Sequence, residues 1–339
     1  MGVDLSPLVE AHERELKDFT GKKIAIDGYN ALYQFLSIIR QPDGTPLRDR
    51  EGRITSHLAG LLYRTANMVE VGIRPVYVFD GKPPEEKQAT IEERREIREK
   101  ALEEWQMALA AGDMETARTK AQQSSRLTKD MVADAKQLLR HLGIPYVDAP
   151  SEGEAQASHM AKKGDVWAVG SQDYDCLVFG APILVRNLTV TGRRKLPRKK
   201  VYVEVRPEEI HLDEVLKKHG ITWEQLVDIA ILVGTDFNPG VKGVGPKTAL
   251  KLIKEHGNIE KALEKKEMDP GDFNRVREIF MKPNVTDDYS LEWRPPDRQA
   301  VTSFLCGQRD FSETRVSGAL DRMEQAYEKN KQASLDRWF

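Results

Sequence analysis

The sequence predicts an α/β protein with a mostly parallel, twisted sheet flanked by helices. Short β-branched and apolar runs alternate with helical patterns through the first half of the chain, and this alternation is typical of parallel sheets. Three of the predicted strands end at or near an aspartate. Because functional sites in such sheets form at the carboxyl ends of the strands, we expect the chemistry at this edge.

The predicted elements follow in order along the chain. The strands are the buried runs KKIAIDG, ending at Asp27, IRPVYVFDG, ending at Asp80, and DVWAVGSQD, ending near Asp173. The helical patterns between them cover residues 56–71, 130–142 and 152–163.

Charge distinguishes the other parts of the chain. After Asp80, glutamates stand at helical spacing from arginines and lysines, which predicts solvent-exposed helices with a thin apolar stripe. Residues 183–205 are expected to form two strands around a basic turn, since six of the eight residues from Arg193 to Lys200 are Lys or Arg. A helical region of mixed charge follows from about residue 207.

Composition argues against several classes of protein. The 339 residues are 40% hydrophobic, enough for a sizeable core, and the net charge of −2 by itself indicates neither a nucleic-acid nor a membrane partner. The two cysteines, Cys176 and Cys306, form no CxxC motif, and no HExxH is present, which argues against a zinc site or a disulfide framework. No apolar run reaches membrane-spanning length and no signal pattern stands at the N-terminus, so we expect a reduced, intracellular protein.

The first residues, MGVDLS, match the N-myristoylation pattern through Gly2 and Ser6. The pattern is short, and no polybasic segment follows to supply the second anchor that stable membrane attachment needs. We therefore do not expect lipidation.

Acidic side chains gather at the predicted carboxyl edge of the sheet. They are Asp27, Asp80, Glu152, Glu154, Asp173, Asp175 and, after the apolar run in ILVGTDF, Asp236. Ser151 and Glu154 also fit a helix capping box, and Glu152 would favour the helix dipole, so capping is an alternative explanation for the two glutamates. Capping does not explain Asp173 and Asp175, nor an aspartate after each strand.

Such a cluster needs protonation or bound cations, because two carboxylates about 4 Å apart repel by roughly 4 kcal/mol at an effective dielectric of about 20. Oxygen ligands without His or Cys favour Mg²⁺ or Mn²⁺ over zinc. Seven acids are too many for one ion but suit two, the usual arrangement for phosphodiester hydrolysis. Aspartyl-phosphate transfer is a competing Mg²⁺ chemistry, but in DYDCL a leucine, Leu177, stands where that chemistry expects Thr or Val.

A glycine-containing loop, GVKGVGPKTALKLI, spans residues 240–253. It lacks the third glycine of the dinucleotide fingerprint and follows no clear strand, which argues against a dinucleotide site. Gly243 and Gly245 allow a tight turn and close approach of a ligand, and Pro246 suits the first helical position. Lys247 in the first turn favours a phosphate bound at the helix N-terminus, and an ordinary helix–turn–helix connection is the alternative.

Two basic residues follow the second predicted strand. Lys87 and Arg94 are seven residues apart, so a helix would place them on one face. That face could overlook the acidic edge. On spacing alone, a solvated charge pair is the better interpretation.

Together these motifs resemble the flap endonucleases of the structure-specific 5′-nuclease superfamily, in the archaeal-type form without a long basic tail. The segments that carry the resemblance, in order over nearly the whole chain, are IAIDGYNALYQFL, VYVFDGKPPEEK, APSEGEAQASHMAKKGDVWAVGSQDYDCLVFG, LVGTDF and GVKGVGPKTAL. The resemblance implies a PIN-like nuclease core with a helical arch and a helix–two-turn–helix DNA-binding element. The implied regions are an N-terminal nuclease region 1–98, the arch 99–129, an internal nuclease region 130–258 with the DNA-binding loop at 240–253, a C-terminal helical region 259–329 and a flexible tail 330–339.

The resemblance also assigns roles to residues. It implies that the acids bind two Mg²⁺ ions, for which Mn²⁺ can substitute. The implied ligands are Asp27 and Asp80 at one ion, Asp173 and Asp175 at the other, Glu154 between them, Asp236 largely through water, and Glu152. Lys87 and Arg94 would be catalytic cations that steady charge at the scissile phosphate, and Tyr33 would stack on a base near the cut.

Further positions match family residues that contact DNA. They are Arg40, Arg64, Glu152, Gly234, Asp236, Gly243, Gly245 and Lys247. The loop that ends at Lys247 would hold the duplex backbone, in the family together with a monovalent cation such as K⁺. The family also places Gly2 close to the active site once Met1 is removed, which leaves little room for an acyl chain.

The C-terminal segment QASLDRWF resembles a box that binds the sliding clamp PCNA. Its anchors would be Gln332, Leu335, Trp338 and Phe339, a polar residue plus one helical turn of apolar side chains. The segment departs from the pattern because Trp338 stands where Phe is commoner and because the chain ends at once on Phe339.

The resemblance implies a monomeric, Mg²⁺-dependent 5′ flap endonuclease with 5′-3′ exonuclease activity. It would cut 5′-flap DNA during Okazaki-fragment maturation and DNA repair, in the cytoplasm and near the nucleoid, or in the nucleus of a eukaryotic source. Two alternatives remain: a sister 5′-nuclease of excision or mismatch repair, and a non-catalytic scaffold that binds DNA junctions and the clamp.

Overall fold

The structure is a computed structural model that describes residues 2–41, 43–190, 192–195, 202–266 and 272–335. The strands are β1 (His12–Glu13), β2 (Lys23–Asp27), β3 (Arg74–Phe79), β4 (Tyr146–Asp148), β5 (Ala168–Gly170), β6 (Ile183–Arg186), β7 (Gly192–Lys195), β8 (Tyr202–Val205) and β9 (Glu208–His211). The longer helices of the first two thirds are α1 (Gly28–Ile38), α2 (Ser56–Glu70), α3 (Gln88–Ala110), α4 (Met114–Gln123), α5 (Lys129–His141), α6 (Gly153–Lys163), α7 (Asp175–Val178), α8 (Leu212–His219) and α9 (Trp223–Val233). The remaining helices are α10 (Pro246–His256), α11 (Ile259–Lys266), α12 (Phe273–Met281), α13 (Arg298–Thr302) and α14 (Glu313–Leu335).

The main sheet has seven strands in the order β1-β9-β6-β5-β2-β3-β4. The five strands from β6 to β4 are parallel, and β9 and β1 add an antiparallel edge. The prediction of a mostly parallel sheet is therefore confirmed. Because β2 lies between β5 and β3, the three aspartate-bearing strands are direct neighbours, and their carboxyl ends meet.

Helices cover both faces of this sheet. One core layer contains buried residues of α6, α7, α9, α10 and α12, and the other contains those of α1, α2, α5 and α14. A fully buried tyrosine, Tyr77, satisfies its hydroxyl with Thr65 of α2 at 2.8 Å. None of the described helices is both long and apolar enough to span a membrane.

The observed elements follow the predicted ones closely, with local differences. The three predicted helices appear as α2, α5 and α6, and the charged stretch after Asp80 forms the helical pair α3 and α4. The third strand ends at Gly170, before Asp173, because the chain turns between these residues. Residues 183–205 contain three strands instead of two, since β6 joins the main sheet and only β7 and β8 pair with each other.

Two of the expected boundaries also differ. Helix α3, which covers the start of the segment expected to form the arch, already begins at Gln88, because its helical charge pattern starts well before residue 99. The last helix, α14, continues to Leu335, so part of the segment expected to be a flexible tail is helical. The end of that tail lies outside the described residues.

The contact between α1 and α2 depends on a glycine. A Cβ atom added at Gly60 would overlap the Phe35 side chain on α1. We expect Gly60→Ala to lower the free energy of unfolding by about 1–3 kcal/mol, as overpacked cores do. Chemical denaturation measures this value.

A second glycine supplies the matched control. Gly318 lies in α14, is exposed, and has no neighbouring atom within 4 Å of an added Cβ. Gly318→Ala should instead stabilise the protein by about 0.5–1 kcal/mol through helix propensity. Equal effects of the two substitutions would contradict the packing explanation.

Candidate active site

Asp27 and Asp80 lie at the carboxyl ends of the adjacent strands β2 and β3. Asp27 caps α1, and its Oδ1 accepts the backbone N–H of Asn30 at 2.9 Å. Asp80 Oδ1 accepts the backbone N–H of Gly153 at 2.6 Å, which ties the end of β3 to the start of α6. Both carboxylates are thus held by backbone groups, and each still has a second oxygen.

The two glutamates stand at the N-terminus of α6. Glu152 occupies the N-cap position, but its side chain makes no capping hydrogen bond. Glu154 Oε1 instead accepts the hydroxyl of Ser171 at 2.9 Å, and Cys176 Sγ lies 3.5 Å from the same oxygen. The capping-box alternative is therefore wrong, because Glu154 turns across to the end of β5 and away from the helix backbone.

Asp173 and Asp175 lie in the turn after β5 and at the first position of α7. Asp173 Oδ2 accepts the side-chain amide of Asn30 at 3.2 Å. Asp175 is 3% exposed, and its Oδ1 accepts the backbone N–H of Val3 at 2.8 Å. Sequence reasoning missed Asn30 and Val3 as partners. A polar residue three positions after a helix-capping aspartate was a signal for Asn30, whereas nothing local pointed to Val3.

Asp236 joins the cluster from a loop that follows helix α9. Its Oδ1 lies 2.5 Å from the guanidinium of Arg94, and its Oδ2 lies 3.6 Å from Lys87 Nζ. Lys87 Nζ also donates a short hydrogen bond to Glu152. The interpretation of Lys87 and Arg94 as a merely solvated charge pair is therefore wrong, because both side chains reach the acidic edge from α3 and the turn before it.

Burial and mutual repulsion make this cluster electrostatically costly. Burial, followed by the charge of Asp80, raises the pKa of Asp27 to about 8. Burial, followed by the charge of Asp236, raises the pKa of Asp175 to about 7. Burial also raises the pKa values of Asp80, Glu152 and Glu154. These five acids therefore hold protons more tightly than free carboxyls unless cations neutralise them.

Lys87 is the internal counterion of the site. Burial alone would lower its pKa, but the carboxylates of Glu152, Asp80 and Asp236 raise it overall, so the ammonium stays charged. One lysine and one arginine do not balance seven acids. The remaining negative charge calls for bound cations.

The chemistry of these donors fits hard divalent cations. In the part of the chain that the structure describes, no group of three or more His, Cys, Asp or Glu side chains forms a ready-made metal cage. Mg²⁺ does not need one, because it keeps several waters and takes only one or two carboxylates per ion. The site offers a set of buried carboxylates that lie close together, and its donor atoms are all oxygens. Mg²⁺ and Mn²⁺ prefer such ligands.

Three further predicted residues lie on α1, on α2 and in the segment between these helices. Tyr33 of α1 is partly exposed, and the Arg98 guanidinium lies 5.0 Å from the centre of its ring. Arg40 donates to Leu36 O, Gly44 O and Ser125 Oγ at 2.6–2.8 Å, so its guanidinium also holds the loop after α1. Arg64 is partly buried in α2, and burial lowers its pKa.

The predicted DNA-binding loop connects α9 with α10. Gly234 ends α9 with a φ of +106°, and Gly243 has a φ of +81°, both in the region that favours glycine. Gly245 is the N-cap of α10, and Pro246 stands at the start of the helix, as expected. Lys247 therefore lies in the first turn. The phosphate-binding and plain-connection interpretations of this loop both remain predictions.

The predicted clamp-binding box lies at the end of the chain. Gln332 and Leu335 fall on the last turns of α14. Trp338 and Phe339 lie outside the described residues. The same holds for Met1 and for 196–200 of the basic turn.

Comparison with known proteins places this geometry in a family. A model of the XPG N-terminal domain matches residues 1–101, and a model of the XPG I-region matches residues 143–236. Together these segments carry all seven acids together with Lys87 and Arg94.

Relatives that align over the whole chain indicate the same family as these models. Flap endonuclease 1 of Archaeoglobus fulgidus is 57% identical over 339 residues, which cover 100% of both chains. The solved flap endonuclease-1 from Methanococcus jannaschii is 45% identical, with a TM-score of 0.77 over 97% of this chain and 100% of that one. The catalytic core of Rad2 in complex with DNA substrate is 25% identical, with a TM-score of 0.68 over 93% of this chain and 96% of that one. The chain therefore belongs to the flap endonucleases, a family of structure-specific nucleases with XPG-type nuclease regions.

Proposed function

We propose that this member of the family is a divalent-metal-dependent 5′ flap endonuclease with 5′-3′ exonuclease activity. It hydrolyses a phosphodiester where a 5′ flap meets duplex DNA and leaves a 5′-phosphate and a 3′-hydroxyl. The observation that carries the proposal is the convergence of seven acids with two basic side chains, Lys87 from the turn before α3 and Arg94 from α3. A scaffold that only bound DNA would gain nothing from such a costly cluster of carboxylates.

The acids would hold two Mg²⁺ ions, or Mn²⁺ in their place. Asp27 and Asp80 would hold one ion and Asp173 and Asp175 the other, with Glu154 between the two pairs and Asp236 contributing largely through water. Bound Mg²⁺ supplies Lewis-acid stabilisation and a nucleophile at neutral pH. K⁺ at the loop between α9 and α10 is a further part of the proposal.

Side chains of the protein itself would bind and orient the DNA at the cut. The Lys87 ammonium and the Arg94 guanidinium lie beside the carboxylates, where they can donate to a phosphate that enters between them. The Tyr33 ring on α1 can stack on a base next to the cut. The arch helices α3 and α4 rise above this edge and would enclose the single-stranded flap.

We expect the protein to contact the backbone of the duplex and to recognise the shape of the junction, so base sequence should matter little. The similar catalytic core of Rad2 is solved in complex with DNA substrate, which supports DNA binding by this chain. Arg40, Arg64, Gly234, Gly243, Gly245 and Lys247 are the proposed duplex contacts. The basic turn at 193–200 is a further candidate, and neutralising it should flatten the salt dependence of binding.

The biological setting is also a proposal. The enzyme would act as a monomer in Okazaki-fragment maturation and DNA repair, in the cytoplasm of a cell without a nucleus. It would reach its substrate by docking Gln332, Leu335, Trp338 and Phe339 on the sliding clamp PCNA. Names of relatives that are 52–57% identical over the whole chain favour flap cutting over the sister-nuclease alternative.

The direct test is cleavage of an end-labelled double-flap DNA beside plain duplex and single strand, with Mg²⁺ and then with EDTA. We expect one discrete Mg²⁺-dependent cut at the flap base and none in the single strand. Binding without cutting would favour the scaffold alternative. A cut within bubbles in preference to flaps would favour a sister nuclease.

The N-terminus offers a separate test, because it lies against the acids. A Cβ atom added at Gly2 would overlap the Asp175 carboxylate. We expect Gly2→Ala to lower the cleavage rate about tenfold or more, since small displacements of catalytic groups are costly. Single-turnover cleavage measures this.

Gly21→Ala is a suitable comparison for Gly2→Ala, because an added Cβ at Gly21 meets no atom within 4 Å. Its φ of +78° makes the substitution mildly destabilising. It should therefore lower stability without changing the rate. An unchanged rate in Gly2→Ala would show that the N-terminus can move away from Asp175.

A further inference from the structure

A chain of polar side chains leads from the loop after β6 to the acidic edge. The Thr189 hydroxyl lies 2.6 Å from Gln34 Oε1, and Gln34 Nε2 donates to Asn30 Oδ1 at 2.7 Å. Asn30 Nδ2 then donates to Asp173 Oδ2 at 3.2 Å. Gln34 and Asn30 lie one turn apart on α1, so their side chains meet naturally. We call Thr189, Gln34 and Asn30 the amide relay.

The negative charge of Asp173 determines which atom of each amide in the relay donates a hydrogen bond and which accepts one. An ionised carboxylate only accepts hydrogen bonds, so Asn30 must present its NH₂ group to Asp173. The Asn30 oxygen then faces Gln34, which must present its own NH₂ group, and the Gln34 oxygen is left to accept the Thr189 hydroxyl. If either amide turned over, an oxygen would face an oxygen.

Asn30 also connects the acids proposed for the two ions. Its backbone N–H binds Asp27 Oδ1 at 2.9 Å, while its side chain binds Asp173. Asp27 belongs to β2 and Asp173 follows β5, so this one residue links the carboxylates at two neighbouring strand ends. With Oδ2 of Asp173 held by the amide, Oδ1 is the oxygen left for a cation.

The residues of the relay also share a small cavity. All three of its side chains line a small cavity of about 10 Å³ together with Asp27 and Gln172. Space of this size is at the lower limit for holding one water. Thr189 is 6% exposed, so bulk water does not readily replace a lost bond.

We propose that Thr189 and Gln34 are positioning residues that, through Asn30, orient Asp173 for divalent-metal binding. This inference rests on the proposed function, because it concerns the same metal site. Outer hydrogen-bond partners of metal ligands commonly change metal affinity by about 10–100-fold when they are removed. The alternative is a purely structural tie between α1 and the loop after β6, which would affect stability and leave metal affinity unchanged.

The test measures Mn²⁺ binding to the DNA-free protein by titration calorimetry, with thermal unfolding in EDTA recorded in parallel. Thr189→Val removes the first donor of the relay with little change in shape. We expect it to weaken Mn²⁺ binding about three- to tenfold. Gln34→Leu removes both of its bonds and should weaken binding about tenfold or more. Thr189→Ser keeps the hydroxyl and should bind within about twofold of the wild type.

A second threonine provides a matched control. Thr65 makes a buried hydrogen bond with Tyr77 at 2.8 Å, between α2 and β3, and is not part of the relay. Thr65→Val should lower the melting temperature and leave Mn²⁺ affinity within about twofold. This control separates the general loss of a buried hydrogen bond from the specific loss of orientation at Asp173.

The outcomes distinguish this inference from the proposed function. If the wild type binds Mn²⁺ and both Thr189→Val and Gln34→Leu bind it equally well, the positioning role is overturned and the metal site stands. If Thr65→Val weakens binding as much as Thr189→Val, the role is also overturned. If the wild type binds no Mn²⁺, the proposed function fails and this inference fails with it. Should Gln34→Leu not fold, the comparison of Thr189→Val with Thr189→Ser decides.

Discussion

Asp175→Asn is expected to lower Mg²⁺-dependent flap cleavage by about a thousandfold or more and, at pH 8 without metal, to raise the melting temperature. Asp175 is buried beside the charges of Asp236 and Asp173. Asparagine removes a metal ligand, which is why activity should be lost. It also removes one negative charge from the cluster, and its oxygen can still accept the N–H of Val3.

The stabilisation expected for Asp175→Asn should increase with pH. Burial and neighbouring carboxylates raise the pKa of Asp175 from the ordinary value of 3.8 to about 7, so the folded state holds the proton more tightly than the unfolded state. The contribution of Asp175 to the free energy of unfolding is therefore greatest below about pH 4 and is lost as the pH rises toward 7. About three pH units correspond to at most about 4 kcal/mol. The variant and the wild type should differ little at pH 4 and most at pH 8.

A second buried aspartate gives the opposite expectation. Asp228 is 3% exposed, but its Oδ1 lies 2.5 Å from the Arg277 guanidinium. Asp228→Asn weakens this ion pair, although Arg277 keeps its second partner, Glu260. The substitution should destabilise the protein by about 1–3 kcal/mol, the range for losing a charged hydrogen-bond partner. Thermal unfolding in EDTA at both pH values, together with cleavage assays in excess Mg²⁺, tests both variants. Cleavage by Asp175→Asn at nearly the wild-type rate would contradict the two-metal assignment.

Much of the fold and the acidic site could be predicted because the signals are local. A buried strand that ends in an aspartate can be recognised in KKIAIDG and in IRPVYVFDG. The parallel order of the two strands then brings Asp27 and Asp80 together. Helices α2, α5 and α6 have clear periodicity. The edge strands β1 and β9 could not be predicted in this way, because each depends on pairing with a partner far along the chain.

The contacts that orient the acids were beyond sequence reasoning for the same reason. The bond from Val3 to Asp175 spans 172 positions, and that from Asn30 to Asp173 spans 143. Local patterns can even mislead: Ser151 and Glu154 have capping-box spacing, but Glu154 binds Ser171 instead. A polar side chain often has several plausible partners. The one that it binds is decided only when distant segments pack together.

Replacing Lys87 with methionine is expected to lower single-turnover cleavage of flap DNA by about 100–1,000-fold, with DNA affinity changed less than about threefold. In the metal-free protein the Lys87 ammonium binds Glu152 and lies 3.6 Å from Asp236 Oδ2. Bound cations would take over the neutralisation of these carboxylates, and the ammonium could then turn to the scissile phosphate. A donor aimed at developing charge contributes this much to the rate. Methionine keeps the apolar stem and removes only the charge.

A basic residue on the adjoining helix separates this role from a general effect of positive charge. Arg95 of α3 is 70% exposed and pairs with Glu99 one turn away. Arg95→Met removes the same charge from the helix that follows Lys87 and should leave cleavage within about twofold, because an exposed pair contributes little. DNA affinity, measured with Ca²⁺ in place of Mg²⁺, completes the comparison. If Lys87→Met lost affinity and rate by the same factor, Lys87 would serve to bind DNA in the ground state. If Arg95→Met matched the rate loss of Lys87→Met, the charge of α3 as a whole would matter, and the contacts of Lys87 with Glu152 and Asp236 would not explain catalysis.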